Sequence, residues 1–556
     1  MGGRILNVMA LVMAALCVAP MIAAVFAALA GDLATWNMLS ATVLPRYIGT
    51  TLLLVVLVAM GTAVVGTGAA WLVTLYRFPG VRWLEIALAL PLAFPAYVLA
   101  YAYTDFLDFP GPVQTLLRET FDWGRRDYWF PEVRSTGGAA VMLIVCLYPY
   151  VYLLARAAFR QQSVSAYLAA RTLGRGPIRA FLTVSLPIAR PAIAGGVALT
   201  VMETISDYGT VSYFGVQTFS TGIYQAWFSM GDRAAAAQLA LCLLSFALLL
   251  AAIERIQRGQ AQAHMRGGNR GFAGMESEHL RGVWGWVAAG FCLLPVLIGF
   301  ILPIILLTEM AIGSGQSLLA PRYRAFMANS ITLATIAALV TTFGALMIAF
   351  RARLHPGRRS DTIKLIATLG YAVPGGVIAV GLLVPFAVLD NRIDAFMEGR
   401  FGIDTGLLFT GSIWLLVLAY AARFMAAALS AVDSGMVQVP PNVDAVTRTL
   451  GRGPLRLLAQ VHLPILRGSV LTALLIVFVD VMKELPATLI MRPFNFDTLA
   501  VQAHRLASDE RLSQAAVPSL VIVACGLLPV ILVCHSIDRS SRARAAARPD
   551  AALAAK

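Results

Sequence analysis

Lysine is nearly missing from this 556-residue chain, since Lys364, Lys483 and Lys556 are the only three. None follows the glycine pattern of a phosphate-cradling loop, so the chain has no Walker A motif with which to hydrolyse nucleotide itself. Charge of either sign is also scarce, at 13% of residues, and the six histidines are scattered without ligand spacing. No nucleophile, metal or cofactor constellation stands out, which argues against a membrane-embedded enzyme. Six cysteines (Cys17, Cys146, Cys242, Cys292, Cys525, Cys534) lie in apolar runs with no CxxC pattern and read as packing residues.

What is abundant is apolar. Hydrophobic residues make up 59% of the chain, mean hydropathy is +0.76, and runs near the length of a bilayer span recur throughout. The expected class is therefore all-α: a polytopic membrane protein with about 12 transmembrane helices. Spans are expected near 5–30, 48–76, 83–107, 137–158, 191–213 and 234–254, then near 284–310, 327–350, 363–389, 405–430, 467–490 and 515–537. The first run ends like a signal-peptidase site but is too long for a signal-peptide core, so it reads as an uncleaved helix. The segment 255–282 is polar and glycine-rich and reads as a linker.

The halves on either side of that linker repeat. RTLGRGP occurs at 171–177 and again at 448–454, and a Leu-Pro pair follows each at the same distance, Leu186-Pro187 and Leu463-Pro464. The offset 451 − 174 = 277 equals 464 − 187 = 277, and it pairs Glu203 with Asp480, Asp207 with Glu484, Phe219 with Phe496, Thr221 with Thr498 and Asp232 with Asp509. A gapless register of this length implies two copies of one unit. The expected organisation is a first half at 1–254 with a loop at 156–190, the linker at 255–282, a second half at 283–540 with a loop at 423–467, and a basic tail at 541–556.

Charge predicts orientation. The 156–190 loop carries six arginines and no acidic residue, and its twin is also basic, so the positive-inside rule places both loops, the linker, the tail and both termini in the cytoplasm. Six spans per half keep the copies the same way up, giving two parallel six-helix repeats. The formal charge of +14 is then a topological signal in a chain whose partner is the lipid bilayer, and no nucleic acid is expected.

Each loop reads as helix, glycine turn, helix. At this point the sequence resembles the inner-membrane permeases of binding-protein-dependent ABC transporters, whose cytoplasmic "EAA" loop has Glu-Ala-Ala, then Gly, then Leu-Pro at fixed spacing. The first copy reads Leu168-Ala169-Ala170, Gly174, Leu186-Pro187, and the second Ala445-Val446-Thr447, Gly451, Leu463-Pro464. Neither has the family glutamate, although Asp444 adjoins its place in the second copy. The strings METISDYGTVSYFGVQ from 202 and MKELPATLIMRPFNFDTLA from 482 look more particularly like fused, two-half ferric iron permeases. The resemblance implies a type I-like importer permease of the bacterial inner membrane. Two ATP-binding subunits, which use ATP and Mg, would dock at Ala169, Ala170, Gly174, Leu186, Pro187, Asp444, Gly451, Leu463 and Pro464, and a periplasmic binding protein would deliver substrate. The chain itself would bind no cofactor. A thiamine permease of similar build is the nearest alternative, and a proton-coupled secondary transporter is a more distant one.

The carboxylates have a physical reading of their own. At about 1.5 Å per residue from Pro191, Glu203 lies roughly 18 Å up its helix, with Asp207 one turn beyond on the same face. Asp480 and Glu484 hold the equivalent places. A charge at mid-bilayer costs about 2.5–3.5 kcal/mol on insertion scales, so these groups should face the bundle interior. With Tyr208 they can line a path and offer transient oxygen contacts to a hard cation such as iron. The competing structural reading is that Lys483, three residues from Asp480, neutralises it.

Overall fold

Prolines at matching places, Pro95 and Pro374, break the chain inside the spans expected at 83–107 and 363–389. In the computed structural model, which describes residues 2–31, 33–124, 126–162, 164–261, 278–280, 282–316, 320–437, 439–440, 442–444, 449 and 453–546, Phe94 and Pro95 are extended with ψ of 132° and 137°. A residue before proline is driven out of the helical region, and proline has no N–H to continue the ladder. The pieces Val81–Ala93 and Ala96–Phe121 consequently meet at 94°, which corrects the single span expected at 83–107. The Phe94 carbonyl freed by the break accepts the Cys146 thiol at 3.0 Å. Val373 and Pro374 make the same extended step before the Gly375–Phe401 helix.

Eleven helices among the described residues are long and apolar enough to cross a membrane, or twelve if the bent pair counts as one span. The all-α class holds: the described strands are the two-residue pieces Tyr76–Arg77 and Glu278–His279. The duplication is visible in the backbone. Pro177–Ala180, the π-turn Phe181–Ser185 and the span Leu186–Ser206 recur as Pro454–Leu457, the π-turn Leu458–His462 and Leu463–Met482, each starting at the 277-residue offset.

Further along, that offset fails. Thr218 caps the helix Phe219–Tyr224 and Thr498 caps Leu499–Ser508, a separation of 498 − 218 = 280. The amides of Phe219 and Leu499 reach hydroxyls on corresponding helices, Thr51 at 3.4 Å and Ser330 at 2.8 Å. Phe219 with Phe496, Thr221 with Thr498 and Asp232 with Asp509 are therefore not structural equivalents. An insertion of three residues in the second copy, hidden by coincident identities, shifts the register.

Helix pairings also recur. Leu44–Leu75 packs on Thr136–Gln161 as Pro321–Leu354 packs on Ile413–Met436, and Leu186–Ser206 packs on Thr136–Gln161 as Leu463–Met482 packs on Ile413–Met436. The first helix of each half crosses over. Gly2–Leu29 lies mainly against Gly375–Phe401 and its neighbours in the second half, whereas Val283–Val296 and the π-turn after it lie against the first half. The sequence halves are therefore interlocked in space.

That interlock has one close backbone approach, where a Cβ on Gly381 would sit 2.1 Å from the Pro20 carbonyl oxygen. Gly381→Leu should therefore push the first helix off the second half and lower stability by about 1–3 kcal/mol, read as thermal unfolding in detergent, whereas Leu at Gly399, which has open space around it, should not.

Candidate functional site

The two spans that follow the repeated loops stop short of the expected boundaries at 213 and 490. Leu186–Ser206 ends because Asp207 turns extended, and Leu463–Met482 ends at Lys483. Each break is sealed by a carboxylate. Asp207 accepts the Thr210 and Val211 amides at 3.0 and 3.1 Å and the Thr210 hydroxyl at 3.0 Å, capping the helix Gly209–Tyr213. Glu484 accepts the Ala487 and Thr488 amides at 2.8 and 3.0 Å and the Thr488 hydroxyl at 2.6 Å, capping Pro486–Met491. Free amides at a helix start favour an oxygen acceptor of negative character, so each carboxylate has backbone donors that compensate part of its burial in the bundle. Asp207 is therefore a cap at a helix break rather than a residue one turn further along the same helix.

The breaks open on a cavity of about 100 Å³ between the halves. Glu203, Asp207, Asp480 and Glu484 all line it, with Tyr97, Tyr150, Tyr208, Lys483 and Arg423. The four carboxylates thus converge on one space, and two fixed cations face them. Lys483 Nζ lies 3.0 Å from Asp480, and Arg423 Nη1 lies 3.4 Å from Glu484. The neutralising pair suggested for Asp480 is thus present. Glu203 differs from the other three carboxylates, for it makes no hydrogen bond or ion pair with any described residue. In the repeat, Ser206 stands where the other half has Lys483, since 483 − 277 = 206, so the counter-ion of one copy has no counterpart in the other.

Charge predicts that Arg423 opens the basic loop at 423–467, but it lies inside the Ile413–Met436 helix and is 8% exposed. A lone arginine in the apolar run IWLLVLAYAARFMAAALS was itself a signal of intramembrane function. His504, one of the scattered histidines, also lies in this region. Its Nδ1 meets the buried Tyr101 hydroxyl at 2.8 Å across the two halves. Tyr208 stacks on Tyr224 at 3.7 Å and turns edge-on to His504 at 5.6 Å. Tyr101 and Tyr103 are buried in the core. Tyr213 packs edge-on to Tyr101 at 4.7 Å, and Arg134 stands 5.1 Å from the Tyr213 ring. Arg134 also joins the halves through two hydrogen bonds to Glu510, at 2.8 and 3.1 Å. An aromatic stack therefore runs from this ion pair down to the cavity.

The loops lie apart from the cavity. Gly174 is left-handed, at φ +81°, with open space around it, so it ends the Val164–Thr172 helix as only glycine does easily. Ala169 is exposed and Ala170 buried, and Leu173 and Ile178 project apolar side chains outward at 82% and 72% exposure. Leu186-Pro187 and Leu463-Pro464 each open a span directly after a π-turn. Gly451 and the Ala445–Thr447 stretch lie outside the described residues. Asp444 is buried, and its carboxylate accepts Arg353 Nε at 2.7 Å and pairs with His462 Nε2 at 2.8 Å. Burial pushes its carboxyl up, but the bonds from Arg353 and His462 outweigh this and hold it below the usual carboxylate range.

Fold and site together define a helical membrane protein of two interlocked halves, with a charged chamber at their junction and a repeated loop before the span that reaches it from each half. No family model matches the chain. It is similar to the Fe(3+)-transport system permease protein FbpB 2 of Haemophilus influenzae, 25% identical over 490 residues that cover 87% of this chain and 88% of the relative. It is 24% identical over 552 residues, 93% of each protein, to the probable ABC transporter permease protein y4fN of Sinorhizobium fredii. The ferric transport system permease protein FbpB of Actinobacillus pleuropneumoniae is 22% identical over 80% of this chain, which spans just under two thirds of that relative, 64% of its length. Along most of its length the chain is thus similar to proteins named as transport permeases.

Glu484→Ala should cost about 3–5 kcal/mol by leaving Arg423 buried and unpaired, while Glu203→Gln should stay within about 0.5 kcal/mol of the parent, both read as thermal unfolding. Because the Asp444 carboxyl is depressed in the folded protein, its contribution is complete above the unfolded value of about 3.9 and is lost only as pH falls through the lower folded one. Protection of the second loop from protease should accordingly be flat from about pH 8 to about pH 5, and Asp444→Asn should remove it throughout.

Proposed function

We propose that this chain is the membrane subunit of an ATP-driven importer that carries ferric iron from a periplasmic binding protein into the cytoplasm. Two ATP-binding subunits, which bind the nucleotide and its Mg, dock on the repeated loops. The observation that carries the cargo reading is the chamber itself: four carboxylates against two fixed cations, with Glu203 unpaired. A hard trivalent cation favours oxygen donors, and weak successive contacts let it leave again. The names of the relatives support the same cargo, and their kind supports partner subunits in general.

In this reading the loop end faces the cytoplasm and Arg134–Glu510 closes the path on the outer side. Glu203 is the first fixed charge available to the cargo. Asp207 and Glu484 keep the two helix breaks open as walls of the chamber, and Asp480, held by Lys483, is the next oxygen ligand on the opposite half. Hydrolysis at the docked subunits would pull the halves apart through the loops. Gly174 and Gly451 set the shape that the docking needs.

Uptake of radiolabelled ferric iron by cells lacking the chain tests this, with thiamine uptake beside it. Iron uptake should be lost alone, return with the intact chain, and fall at least tenfold with Glu203→Gln plus Asp480→Asn at equal membrane abundance. Normal iron uptake in cells that have no other ferric importer would return the cargo to unknown.

A further inference from the structure

The second loop is fastened by Asp444, but the first loop contains no acidic residue at all. At the corresponding place it has Tyr167, since 444 − 277 = 167. The last residues of the linker reach that spot. Glu278 and His279 pair in parallel with Tyr76 and Arg77, in register Tyr76 to Glu278 and Arg77 to His279. The Leu280 amide then donates to the Arg77 carbonyl at 3.1 Å. Gly285 keeps the next span close to the same turn, for a Cβ there would lie 2.8 Å from the Leu280 carbonyl oxygen and 3.5 Å from Pro79.

This bridge puts the Glu278 carboxylate 3.7 Å from Arg171, on the Val164–Thr172 helix of the first loop. Tyr76 and Tyr167 stand within electrostatic reach of both groups. Beneath them Trp71 is wedged among Tyr76, Tyr167 and Phe181, with ring centroids 6.2, 5.7 and 4.3 Å away. An ion pair this exposed is weak alone. The strand bridge does the placing, and the carboxylate then orients Arg171 and its helix.

We propose that Glu278 is a positioning residue for the first docking loop, supplying from the linker the acidic anchor that Asp444 supplies within the second. The linker is then a working part of the first docking site rather than a tether. The inference rests on the reading of both loops as docking sites for ATP-binding subunits. It also accounts for an asymmetry: one loop is anchored from within its own segment and the other from between the halves.

The test uses the full chain with a protease site inserted within 262–277. Arg77→Cys with His279→Cys should form a disulfide in oxidised membranes, so that the cleaved halves run as one band until reduced, while each single variant, carrying the native cysteines, should not. With purified ATP-binding subunit, Glu278→Arg should raise the subunit concentration giving half-maximal ATP hydrolysis about fivefold or more at unchanged maximal rate, and Glu278→Asp should restore it. Absence of the disulfide, or Glu278→Arg behaving like the parent, would overturn the proposal. A disulfide that forms in a chain that never stimulates the ATPase would overturn the docking reading, and the role of Glu278 with it.

Discussion

Two helix breaks, each capped by a carboxylate, set the terms for the rest of this structure. Asp207 and Glu484 bind the free amides of the short helices that follow, and a carboxyl group, with two oxygens, can accept several donors at once in this way. Charge held inside a bilayer must be sheltered, so the breaks must face each other across the junction of the halves, where Arg423 and Lys483 add compensation. A chamber between the halves is the consequence. The interlocked first helices keep the halves together around it, since neither half closes its own surface.

The copies have diverged most where charge is concerned. Lys483 faces Ser206, Asp444 faces Tyr167, and Arg423 faces Cys146 at the 277-residue offset. Even the pairs near the loops are inverted. Glu85 meets Arg156 and Arg160 in the first half, whereas Lys364 meets Asp433 in the second. Two copies held in one chain can diverge independently of each other, as two identical subunits cannot. The backbone around the loops, by contrast, is kept down to the matching π-turns Phe181–Ser185 and Leu458–His462.

Sequence reading found what periodic hydropathy and exact repetition encode: the class, the number of spans, the paired loops and the convergence of Glu203, Asp207, Asp480 and Glu484. It misjudged features that depend on contacts between distant segments. Arg423 was assigned to a loop because a basic cluster follows it, although its partner Glu484 lies 61 residues away. Asp207 was counted along a helix although Asp-Tyr-Gly-Thr is a serviceable cap, and Glu484-Leu485-Pro486 likewise announces a helix start. The register shift beyond residue 213 was masked by chance matches of Phe and Thr. Nothing local in the linker signalled that Glu278 would return to the first half, because two-residue strands have no periodicity to read.

The central claim is that this chain moves a cation only when separate subunits hydrolyse ATP on its loops. The direct measurement is ferric iron entry into sealed vesicles containing the purified chain, its ATP-binding subunits and the binding protein. Entry should require ATP on the loop side and should be absent with a proton gradient alone. Entry driven by the proton gradient without ATP would contradict the account and identify a secondary transporter.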